Sequence, residues 1–181
     1  MRAAAFASIV SVALGACASA GSTGSGPASQ TISVVGPSGN AQINSPREAS
    51  SNIQTLPFTV DQVWRALPVA FDSLGIPVQA LDNAKHTIGN TNFAIRRRLK
   101  NVPLSRYIDC GASQMGPSAD DYDARLTVLT EVRPGEGGAT VSTSVQAVAR
   151  PMNYAQEFSA CSSKGSLEQR LIDILKARLA R

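Results

Sequence analysis

The sequence predicts an α+β fold: an antiparallel sheet of about four to five strands packed by two helices, preceded by an apolar leader and a polar tether. Three observations lead there. Residues 59–75 and 166–179 carry apolar side chains at the helical period of 3.6. Residues 122–132 and 139–149 alternate apolar and polar side chains at the strand period, on either side of a Pro-Gly-rich turn. Apart from Phe6, every aromatic residue lies from Phe58 onward, which places the core in the C-terminal part of the chain. Of the 181 residues, 43% are hydrophobic, 17% charged and 5% aromatic, with a formal net charge of +4. That apolar share excludes a fully disordered chain, and a mean hydropathy of -0.03 excludes a polytopic membrane protein. A chain of this length accommodates one globular domain plus appendages.

The leader comes first. Arg2 supplies one positive charge, and Ala3 to Leu14 follow without any, the proportions of an export signal and too short for a spanning helix. Leu14-Gly15-Ala16-Cys17 then resembles the lipobox of bacterial lipoproteins. The resemblance implies that residues 1–16 are a signal peptide removed by signal peptidase II. It also implies that the Cys17 thiol receives a diacylglycerol and that the new amine is acylated. Acyl chains hold a protein to a bilayer at about 0.8 kcal/mol per buried methylene, and two or more anchor it stably. The competing reading is an ordinary secretory signal cut near Ala16-Cys17-Ala18, which leaves a soluble protein. Ala18 is not the aspartate associated with inner-membrane retention. In a diderm source the resemblance therefore implies the outer membrane, facing the periplasm.

Residues 17–52 are almost wholly Ala, Ser, Gly, Thr, Pro, Asn and Gln, with Arg47 and Glu48 as the only charges. Such a segment buries too little apolar surface to offset its ordering entropy, so a flexible tether is expected, spanning roughly 30–35 Å. Thr31-Ile32-Ser33-Val34-Val35 has strand character but is read as linker. Residues 53–181 form the single domain.

Within it, Thr59 is a helix N-cap with Gln62 as its capping-box partner. Val60, Val63, Trp64, Leu67, Phe71 and Leu74 form one apolar face. Gly75 and Pro77 end the helix, and Pro68 inside it is expected to cause a kink or cost one hydrogen bond. Short strands are expected over 78–81, 86–90 and 92–100, followed by the long hairpin 122–132/139–149. Ser166 is the expected cap of the last helix, with Gln169 at its third position and basic residues suited to its C-terminal dipole.

Export places the domain in an oxidising compartment. With Cys17 lipidated, Cys110 and Cys161 remain as a pair, and a disulfide between them is predicted. Closing a loop of about 52 residues contributes roughly 4 kcal/mol in the chain-entropy model. A thiol nucleophile or a metal pair is the competing reading, with His86 as the one available histidine. Arg96-Arg97-Arg98-Leu99-Lys100 is the single charge run. On a continuous strand it would project Arg96, Arg98 and Lys100 from one face as a partner-binding stripe. Arg97 would then join Phe93, Ile95 and Leu99 on the other, where it needs a partner such as Asp109. An exported protein meets no nucleic acid routinely, leaving anionic lipid headgroups, cell-wall polymer or an acidic protein, beside the plain reading of a solvated strand face. Asp120, Asp121 and Asp123 lack the glycine and distal glutamate of a calcium loop and read as a solvated turn, so no metal is expected. No cofactor and no catalytic constellation is expected either.

The order strand–helix–antiparallel strands–helix, on a tethered lipoprotein, resembles the helix-grip domains of the outer-membrane assembly lipoprotein C family, the C component of the barrel-assembly machinery. That family usually carries two such domains where this chain has one. The expected function is a non-catalytic docking or envelope-assembly module held to the membrane by its lipid. The alternative is a binding module for a hydrophobic small molecule or lipid in a helix–sheet cleft.

Overall fold

The computed structural model describes residues 30–36, 39–45, 51–153 and 155–181, so the leader and Cys17 lie outside the described residues. β1 (Gln30–Gly36) and β2 (Gly39–Ser45) pair antiparallel as a hairpin where linker was expected. The β-branched Thr31, Ile32, Val34, Val35 and Ile43 favour this conformation.

β3 (Asn52–Leu56) leads into α1 (Val60–Leu74). The capping box forms as expected: Gln62 N donates to Thr59 Oγ1, and Thr59 N donates to Gln62 Oε1 at 2.9 Å. Gly75 adopts φ 76° and Ile76 N donates to Phe71 O, a left-handed cap that satisfies the last carbonyls. α1 runs without interruption through Pro68, which stands on its exposed side.

β4 (Ala80–Asp82) pairs with β5 (Thr87–Arg96), so the two expected strands 86–90 and 92–100 begin as one. Thr91 and Asn92 together face Thr127, a bulge that accounts for the break in the sequence pattern. After Arg96 the chain turns into β6 (Arg98–Leu99) and β7 (Val102–Pro103). β8 (Ile108–Asp109), β9 (Ala112–Ser113) and β10 (Gly116–Pro117) follow. The long hairpin comprises β11 (Tyr122–Gly135) and β12 (Gly138–Pro151), then β13 (Ser159–Ser163) and α2 (Ser166–Leu179).

The main sheet has seven strands in the path β4-β5-β11-β12-β13-β8, with β3 also on β12. The count exceeds the expected four to five because short strands extend it. β12 is long enough to pair β3 through Ala139–Thr143 and β13 through Ala147–Ala149 along the same edge. Both helices lie on one face and pack on each other. Val63, Leu67, Phe71, Leu171, Ile172 and Leu175 fill the layer between them and the sheet, each at most 1% exposed.

α2 begins differently from the expectation. Gly165 at φ 74° is the N-cap residue. Ser163 Oγ accepts from Gly165 N and donates to Glu168 Oε1 at 2.7 Å. Ser166 Oγ instead donates to the Arg106 carbonyl, while Gln169 accepts from Gln54 Nε2 and donates to Asp173. Lys176 and Arg178 occupy the last turn as the dipole favours.

Cys110 and Cys161 form a disulfide with an S–S distance of 2.08 Å. It ties the β8–β9 connection to β13, so the loop that continues from Cys110 through Gly111, Gly116 and Pro117 is pinned next to the strand that precedes α2.

Candidate docking face

The charge run does not form a stripe. Arg97 has φ 61° and Lys100 φ 52°, conformations that interrupt a strand, and β5 stops at Arg96. Arg96 is opposite Asp123 in the β5–β11 register, on the face away from the helices, and its Nε donates to Asp123 Oδ1. Lys100 turns to the other side: a Cβ on Gly75 would lie 2.9 Å from Lys100 Cγ, so its stem lies against the C-terminal cap of α1. A cation there suits the negative end of the helix dipole, where α1 has no basic residue of its own. Arg98 Nη1 reaches Asn101 O at 3.5 Å and spans the tight β6–β7 turn.

Arg97 is exposed, so it does not share an apolar face with Phe93, Ile95 and Leu99 and needs no buried partner. Asp109 is not that partner either; its Oδ1 accepts from Gly111 N at 2.9 Å and shapes its own turn. Arg97 and Arg98 instead border a shallow recess with Pro103, Asp120 and Asp121. The aspartate cluster is likewise divided. Asp120 holds Ser105 through its backbone N and hydroxyl at 2.9 and 2.7 Å, Asp121 is exposed, and Asp123 takes Arg96. His86 is half-buried, its ring edge-on to Trp64 with centroids 5.3 Å apart.

Three residues that the sequence reading passed over complete the picture. Arg125 on β11 alternates with buried neighbours, and Arg150 on β12 is in register with Asp123, the partner of Arg96, so both face outward on the same side as Arg96. Both guanidinium groups converge on the Phe158 ring, 5.3 Å and 4.7 Å from its centroid. Arg125 Nη1 also donates to Asn92 Oδ1 at 3.1 Å, which the β5 bulge presents. An open groove of about 520 Å³ runs across the strands here, lined by Ala94, Arg96, Asp123, Arg125, Arg150 and Phe158. Arg125 and Arg150 form no ion pair among the described residues. The only sequence signal for this arrangement was the outward parity of the two arginines; Phe158 lay in a segment without periodicity.

The arrangement offers guanidinium donors suited to an anion and an aromatic ring suited to a planar group, and no nucleophile–base pair accompanies it among the described residues. No protein-family model matches the chain, and no curated protein matches it in sequence.

Proposed function

We propose that the chain is a lipid-anchored, periplasm-facing lipoprotein whose domain serves as a non-catalytic docking module for an envelope protein. The lipobox pattern ending in Cys17 supports the anchor, with outer-membrane placement in a diderm source. The observation that carries the docking reading is the basic end of the sheet. Arg96, Arg97, Arg98, Arg125 and Arg150 gather there, and only Arg96 has a carboxylate ion pair among the described residues. Lys100 is withdrawn from the contact face because it lies against the α1 cap. The hydrophobic-ligand reading finds less support, since Phe71, Leu67, Leu171 and Leu175 occupy the layer between helices and sheet.

The test is crosslinking in intact cells with a C-terminal tag, followed by mass spectrometry. A dominant envelope protein, lost when Arg96 and Arg98 become glutamates, is the expected result. A clean monomer in every sample overturns the docking reading.

A further inference from the structure

We propose that the Arg125–Phe158–Arg150 cradle is the recognition site for an acidic, extended polypeptide segment laid across the outer face of the sheet. The inference rests on the docking reading and names its partner's chemistry. Two like charges drawn to one aromatic ring repel each other, and a carboxylate placed between them relieves that repulsion with charge-assisted hydrogen bonds. A guanidinium over an aromatic ring has five N–H donors, and attraction to the ring leaves donors for such bonds. Arg125 is further fixed by Asn92, so little side-chain entropy remains to be lost on binding.

An open strand edge beside the groove selects a polypeptide over an anionic bilayer surface. The groove lies across β5, β11 and β12, with Phe158 in its lining. Its lining also includes Asp123, which is taken by Arg96 and so leaves Arg125 and Arg150 as the uncompensated charges of the groove. Beside it, β5 beyond Gly89 has no strand on its outer edge among the described residues, since β4 pairs only Thr87 to Gly89. An extended segment finds main-chain partners at that edge and anion partners in the cradle.

The full chain, purified in detergent, is titrated into a fluorescein-labelled peptide of alternating Glu and Val, and anisotropy is followed. The same peptide with Lys in place of Glu serves as control. Salt-sensitive binding of the Glu peptide alone is expected, weakened roughly tenfold by Arg150→Ala, Arg125→Ala or Phe158→Ala. Arg150→Lys keeps the charge but loses the planar stack, and is expected to weaken binding as well. Arg178→Ala, in the last turn of α2, is expected to leave it unchanged. Thermal unfolding of each variant separates lost contacts from lost structure, and Phe158→Leu replaces Phe158→Ala if the latter unfolds. Absence of Glu-peptide binding, or binding that survives Arg150→Ala and Phe158→Leu, overturns the assignment. So does preferential flotation on phosphatidylglycerol over phosphatidylcholine vesicles that depends on Arg125 and Arg150 without peptide binding, which makes the cradle a membrane contact. An envelope partner that still crosslinks to the Arg125→Glu/Arg150→Glu chain also removes the cradle while leaving the docking function in place.

Discussion

On the inner face of β11 and β12, Ala124, Leu126, Val128, Val132, Val141 and Val145 meet the two helices and are at most 1% exposed. On the outer face of the same strands, Arg125, Thr127, Ser144 and Gln146 remain half-exposed. One backbone thus serves two tasks. The inner residues supply apolar burial, the main favourable term in folding, while the half-exposed outer ones are free to carry charge; Val148, opposite Arg125, is a buried apolar residue on that outer face. The outer face is shaped by what holds it from the side: the bulge at Thr91 and Asn92 that presents Asn92 to Arg125, and the disulfide that anchors β13 next to Phe158.

This contrast is open to attack from the largest effect downward. Phe71, fully buried on the inner side of α1, is expected to cost about 3–5 kcal/mol when changed to Ala, read as a lower urea midpoint at unchanged slope. A loss below about 1 kcal/mol would mean that the helix–sheet layer is not the seat of stability. Replacing Cys110 and Cys161 by serine is expected to cost about 2–5 kcal/mol. It should also raise amide exchange in β13 before the β11–β12 ladder loosens; simultaneous loosening would show that β13 is held by its ladder alone.

A smaller effect comes from the polar pair on the inner face, where Thr130 Oγ1 and Thr143 Oγ1 lie 3.0 Å apart and fully buried. Thr143→Val alone is expected to cost about 1–3 kcal/mol, and the double change to valine less than the sum of the singles. Additive losses in the double-mutant cycle would remove this coupling. The smallest effect belongs to the outer face: Arg96→Gln breaks the pair with Asp123, yet with Arg96 68% exposed the expected stability change is under about 1 kcal/mol. A larger penalty would make the outer face structural and blur the contrast.

Legibility in the sequence followed the range of the interaction. The α1 capping box, its glycine stop and the β11–β12 hairpin are local patterns, and each formed where the spacing placed it. The disulfide was accessible from cysteine parity and the expected compartment. β13 was not legible because Ser159-Ala160-Cys161-Ser162-Ser163 has no apolar alternation; pairing with β12 and the disulfide make it a strand. The cap of α2 shifted from Ser166 to Gly165 because Ser166 found the Arg106 carbonyl, sixty residues away in sequence. The charge run read as one stripe because a strand was assumed through Arg97, and left-handed turns at Arg97 and Lys100 sent its members to opposite sides of the sheet.

The sequence by itself determined the α+β class, the two amphipathic helices, the central hairpin and the cysteine pair, since periodicity, capping and parity are properties of neighbours along the chain. The lipobox resemblance at Cys17 belongs to the same local register. Tertiary structure alone decided which arginines share a face and that Phe158 stands between two of them. Those facts depend on strand register and backbone turns, which bring together β5, β11, β12 and the start of β13 from distant parts of the chain.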